Sequence, residues 1–149
     1  MNILPISKGL AIAIVSVLTV TACSSKPTTP NDVSIRQDIM QDWRISSDIM
    51  KSMLFEDRFD AKAFKEQADA IQASTHVWAH FDNDAEKGKA QDTVWTDSAG
   101  FKLKAQMFDD AVGELVSAAN KAQSFTDVEK GFGKMNESCG SCHKSYKSR

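Results

Sequence analysis

The stretch VEKGFGKMNESCGSCHKSY, residues 128–146, decides how this chain folds. Within it Val128, Phe132, Met135, Cys139, Cys142 and Tyr146 recur at intervals of four, three, four, three and four. Those intervals draw one apolar stripe along an α-helix, so both cysteines belong to the side that faces a core. The pentapeptide Cys139-Gly140-Ser141-Cys142-His143 has the C-x-x-C-H spacing of covalent c-type haem attachment. Two thiols at that separation can both reach the vinyl groups of one porphyrin. The imidazole that follows can ligate iron from beneath the ring. One covalent haem c is therefore expected, and on this stripe it would serve as core material. The alternative is a disulfide between Cys139 and Cys142, a strained loop that leaves the adjacent His143 unexplained.

A haem motif carries most weight in an exported chain. Residues 1–22 read as a leader, with Lys8 its one charge and an apolar run, Gly9 to Val20, short for a bilayer span. Val20-Thr21-Ala22-Cys23 resembles the bacterial lipobox, in which the cysteine becomes the lipid-modified first residue. An ordinary secretory signal or an uncleaved anchor, with Cys23 incidental, is the competing reading. Residues 23–31, with Pro27, Pro30 and several Ser and Thr, read as a flexible tether, and residues 32–149 as one domain. The expected location is the periplasm, on a lipid anchor through Cys23.

The formal net charge is −2, one unit more negative without the leader, and no basic stripe offsets it. That balance argues against nucleic acid as a partner. The lipobox and the haem motif together use all 3 cysteines. A zinc ribbon would need a second pair, and a thioredoxin-type site would need a strand upstream.

The rest of the mature chain reads as helix, without convincing alternating segments. Asn31 or Asp32 can cap a first helix, whose apolar positions Ile35, Ile39, Ile45, Ile49 and Met53, with Met50 and Leu54 alongside, mark its core face. Asp60 caps a second, with Phe59 and Phe64 at the positions of a hydrophobic staple. Phe64, Ala68, Ile71, Thr75 and Trp78 continue its stripe. Residues 82–89 read as a charged loop, and Trp95 is expected to pack back on the bundle. Asp97 or Ser98 caps a third helix with Phe101, Ala105, Phe108, Val112, Leu115, Val116 and Ala119 inward, and Gly113 is expected to permit a close crossing. Thr126 and Glu129 spell a capping box for the fourth. An all-α, antiparallel four-helix bundle with haem in its core is the simplest solution.

Four stretches resemble the cytochrome c′ family, whose haem motif lies in the last helix and whose members include low-spin, methionine-ligated relatives. They are Arg36-Gln37 with Met40 beyond, Trp78 with Phe81, Val94-Trp95-Thr96-Asp97 with Phe101, and the haem motif with Tyr146 and Lys147. Together they span the mature domain. The resemblance implies thioethers at Cys139 and Cys142 and an axial ligand at His143. It implies a haem propionate partner at Arg36, which periodicity alone would leave as an exposed charge, and a weaker one at Gln37. Lys89 stands where members can carry an acidic residue, so no haem contact is transferred to it.

Met40 decides mechanism, either as a sixth ligand or as a cover over an open iron face. Ligated iron implies a periplasmic electron carrier with redox protein partners. Open iron implies a five-coordinate protein that binds nitric oxide or carbon monoxide without relaying electrons. Neither is an enzyme. A homodimer is common in the family. His76 and His80 read as partly exposed side chains before a metal pair, and Asp109-Asp110 as solvated charges. Lys144, Lys147 and Arg149 read as an ordinary polar helix end before a docking face for an acidic redox partner.

Overall fold

The computed structural model describes residues 31–54, 58–82, 84 and 86–149. The leader, the tether up to residue 30 and Cys23 lie outside the described residues. Four long helices carry the fold: α1 (Asp32–Ser52), α2 (Ala61–Ala73), α4 (Ser98–Ala119) and α5 (Thr126–Tyr146). A 3₁₀ segment, Thr75–Phe81, and a single turn, α3 (Thr93–Thr96), occupy the connection between α2 and α4. Among the described residues the one extended pairing is an isolated antiparallel bridge between Ala90 and Lys147. No described helix is long and apolar enough to cross a membrane.

Local chemistry sets three of the helix starts. Asn31 accepts from Ser34 N at 2.9 Å, Asp60 from Ala63 N at 3.0 Å and Asp97 from Gly100 N at 3.2 Å. Each satisfies an N–H that the first turn leaves without a partner. The staple forms, with Phe59 and Phe64 ring centroids 5.7 Å apart. The capping box of α5 does not. Instead Asp127, inside the first turn, accepts from the backbone N–H groups of Gln123 and Ser124 at 2.9 Å each. Those two bonds hold its carboxyl below the usual carboxylate range.

The core face of α1 is rotated from the one the isoleucines mark. Arg36, Trp43, Ser46 and Met50 are buried, whereas Ile45 is 44% and Ile49 38% exposed. Arg36, Met40, Trp43, Ser46 and Met50 follow one another at four, three, three and four, the same helical rhythm on a different face. Trp43 explains why this face wins. Its ring stacks on Phe108 at 4.5 Å and meets Trp78 edge-on at 5.6 Å, burying far more apolar area than an isoleucine could.

The helical stripe of α2 also ends early. From Thr75 the chain tightens into the 3₁₀ segment, so Val77 becomes fully buried and Trp78 and Phe81 leave the α-helix for this segment. Nothing lies within 4 Å of a Cβ placed on Gly113, so no crossing depends on it. The close approach is at Gly131, where a Cβ would sit 3.2 Å from Leu115 Cα on α4. Gly131→Val should therefore force α4 and α5 apart and cost about 1–3 kcal/mol. Urea denaturation checks this, with Gly113→Ala neutral or stabilising as the control.

The helices pack in a chain: α1 on α2, α2 on α4, α4 on α5. No comparable backbone packing joins α1 to α5. Ser47 Oγ donates to Asn136 Oδ1 at 3.0 Å across that gap. The gap is where the site lies.

Candidate functional site

A cleft of about 630 Å³ opens between α1 and α5, within the range of about 300–1,000 Å³ typical of small-molecule and cofactor pockets. Its walls combine Met40, Trp43, Ile71, Trp78, Phe101 and Phe108. Every residue that the sequence offered for binding haem reaches it: Arg36, Gln37 and Met40 from α1, and Cys139, Cys142 and His143 from α5. Spacing places Arg36 and Met40 one turn apart on one helix, and the bundle turns that face toward the cysteines.

Both cysteines are half-buried free thiols. Burial, and to a lesser extent neighbouring Cys142, pushes Cys139 up to about 11; burial also raises Cys142. Both are therefore protonated at neutral pH. His143 stands exposed at the mouth. Loss of water on its cleft side, then the Lys147 ammonium, lowers its pKa, so the imidazole is neutral and keeps a lone pair for a metal.

Arg36 is not an exposed charge, being only 4% exposed. Its guanidinium lies 4.7 Å over the Phe81 ring and donates to His80 O at 3.0 Å, Glu86 O at 2.7 Å and Lys87 O at 3.4 Å. It thus ties the segment after α2 against α1 at the cleft edge. Gly88 follows at φ +56°, a left-handed turn that favours glycine. Gln37 is exposed at the rim. His80 turns its Nδ1 to Asp32 at 2.9 Å and His76 turns its Nδ1 to Ala73 O at 3.3 Å, with the two ring centroids 6.4 Å apart.

A second clamp closes the other end. Gln91 N donates to Tyr146 O, Ser148 N to Lys89 O and Thr93 Oγ1 to Ser145 O, all within 2.9 Å. Lys89 therefore lines the cleft through a segment pinned to the C-terminus. Trp95 is half-buried and donates from Nε1 to Phe81 O at 2.8 Å. Two carboxylate pairings escaped the sequence reading. Asp109 is no solvated charge: it accepts from Trp78 Nε1 at 2.8 Å, and burial raises its pKa. Asp97 accepts from Tyr146 Oη at 2.7 Å as well as capping α4. No local signal marks these pairs, because their partners lie 31 and 49 residues away. Trp43 was legible in the rhythm of α1 once Arg36 is admitted to a buried stripe.

The donor set fits a haem. Two protonated thiols and a neutral imidazole sit in C-x-x-C-H register on one wall, a thioether comes from the opposite wall, and the walls between are aromatic and aliphatic. A helical bundle with this cleft and a C-x-x-C-H motif in its last helix is the arrangement expected of a c-type haem protein. The chain belongs to the cytochrome c′ family: the family model described as Cytochrome C′ matches residues 31–147. Members of that family carry covalently attached haem c.

Curated relatives agree. Cytochrome c′ of Alcaligenes xylosoxydans xylosoxydans is 34% identical over 92 residues, covering 61% of this chain and 72% of the relative. That of Rubrivivax gelatinosus is 32% identical over 95 residues, covering 61% and 73%. Among solved structures, the nitric oxide complex of a single-site mutant of cytochrome c prime from Alcaligenes xylosoxidans superposes with a TM-score of 0.74 at 27% identity, covering 79% of this chain and 94% of that one. Another structure named cytochrome c′ gives 0.74 at 28% identity, covering 81% and 100%.

Proposed function

We propose that this chain is a periplasmic electron carrier with one haem c, held by thioethers at Cys139 and Cys142 and ligated by His143 and Met40. One observation carries the reading: the gap between α1 and α5 collects a thioether from one helix and the complete attachment motif from the other. When bound, haem supplies one-electron chemistry at iron, and a methionine ligand raises its potential. The chain does the rest. Its aromatic walls exclude water, His143 keeps a free lone pair, and Met40 fills the facing position.

Arg36 brings a buried positive charge to the edge of the cleft, where a propionate is stabilised by its planar fork. Gln37 at the rim supplies a further donor. Lys144, Lys147 and Arg149 are exposed beyond the motif and favour a redox partner with an acidic face. Ile45 and Ile49, one turn apart and exposed on α1, suit a second copy of the chain. The pattern Val20-Thr21-Ala22-Cys23 supports export and a lipid anchor through Cys23, ahead of a tether and the domain over residues 32–149.

A second reading, binding of small neutral gases at five-coordinate iron, draws support from the nitric oxide complexes of similar cytochromes. One spectrum separates the two. In the ferrous protein, carbon monoxide should leave the wild-type absorption unchanged and shift that of Met40→Ala. A wild type that already binds carbon monoxide, with Met40→Ala indistinguishable from it, removes Met40 from the iron and selects the gas-binding reading.

A further inference from the structure

Aromatic side chains run without a break along the cleft wall. Ring centroids step 5.6 Å from Trp43 to Trp78, 6.1 Å from Trp78 to Phe101 and 5.4 Å from Phe101 to Tyr146. The two oxidisable members that flank Phe101 share a feature. Tyr146 Oη donates to Asp97 Oδ2 at 2.7 Å, and Trp78 Nε1 donates to Asp109 Oδ1 at 2.8 Å. The other two indoles lack it: Trp43 donates to the Ser74 hydroxyl and Trp95 to the Phe81 carbonyl.

A phenol or indole that loses an electron becomes a strong acid. A carboxylate already hydrogen-bonded to it takes the proton as the electron leaves, which removes the cost of forming a buried cation. The surroundings favour that event. The bond to Asp97, then burial, pushes Tyr146 up to about 12, so the phenol holds its proton until it is oxidised. Burial makes Asp109 more basic than an ordinary carboxylate. Asp97 is exposed and can pass a proton to water. A Cβ on Gly100 would collide with the Asp97 carboxylate and lie 2.6 Å from Tyr146 Oη, so the absence of a side chain there makes room for the pair.

We propose that Tyr146 and Trp78, each paired with its own carboxylate, form a redox exit that drains oxidising equivalents from the cleft when the protein meets a hydroperoxide. The inference rests on the haem reading of the cleft in its gas-binding form, in which Met40 does not occupy the iron. Reduction of hydrogen peroxide to two waters consumes two electrons and two protons. Tyr146 supplies one electron, its Oη proton passing to Asp97. Trp78 supplies the other, its Nε1 proton passing to Asp109. The two carboxylic acids then release to solvent the same number of protons that the peroxide consumes. Two neutral side-chain radicals remain, on rings joined through Phe101.

The test is freeze-quench electron paramagnetic resonance on the full haem-loaded chain mixed with hydrogen peroxide. The chain has 1 tyrosine, so any tyrosyl signal belongs to Tyr146. The expected result is a tyrosyl signal that narrows with ring-deuterated tyrosine and is absent in Tyr146→Phe. In Asp97→Asn it should fall several-fold, because asparagine keeps the capping oxygen for Gly100 N–H but cannot accept the proton. Absence of the signal from haem-loaded wild type, or equal intensity in Asp97→Asn, overturns the proposal. Haem is quantified in each sample by its pyridine haemochrome spectrum. A chain that takes up no haem defeats the reading of the cleft and the redox exit with it, whereas haem without the radical defeats the exit alone.

Discussion

Cys139→Ser/Cys142→Ser, matured with the c-type assembly machinery, should yield a chain that loses all its colour to acid–acetone extraction. The wild type should keep its absorption through the same treatment. Serine is close to cysteine in size, so the change removes the two sulfurs with little change in wall volume. The loss would therefore report covalent chemistry rather than a collapsed site. A single substitution should be intermediate: one thioether resists extraction, but the porphyrin is held at one edge only. The double variant should also be less stable than the loaded wild type, because a group bound only to the folded state stabilises it. Retention of extractable-resistant haem in the double variant would dismantle the proposed attachment at one stroke.

Trp43→Ala should cost about 3–5 kcal/mol, a large share of the 5–15 kcal/mol that holds a typical domain together. The indole is 7% exposed, stacks on Phe108 and donates to Ser74 Oγ at 2.7 Å, so truncation opens a void between α1 and α4. Its coupling with Phe108, read from a double-mutant cycle, should be about 0.5–1.5 kcal/mol beyond simple burial. Ile49→Ala, on the exposed side of the same helix, should stay within about 0.5 kcal/mol. Urea titration of Trp43→Ala, Phe108→Ala, Ile49→Ala and the Trp43/Phe108 double variant gives all three quantities. Equal losses at Trp43 and Ile49 would mean that α1 sits with its isoleucine face inward after all.

That contrast marks where the sequence was legible. In α5 the apolar stripe and the chemical motif coincide, so period, register and its part of the proposed ligand set all come from residues 128–146. In α1 two stripes compete. The aliphatic one is more conspicuous, yet the buried one contains a charged residue and a serine, which a hydrophobic pattern passes over. Arg36 is tolerated inside because three backbone carbonyls of residues 80, 86 and 87 receive its N–H groups. Those carbonyls come from the distant 3₁₀ segment and the loop after it, which the period of α1 does not describe. The same holds for the cap of α5, where Asp127 reaches two N–H groups that the capping-box pattern does not include.

Short-range chemistry on its own determined that the domain is helical, where three of its helices begin, and that two thiols and an imidazole share one face of the last one. Spacing suffices there, because residues within two turns cannot avoid each other. Only the assembled bundle decided which side of α1 meets that face, that α1 and α5 stand apart far enough to leave a cleft, and that Tyr146 and Trp78 each find a carboxylate. Those outcomes depend on contacts between segments tens of residues apart, and they are settled by which side chains fill the shared interior best.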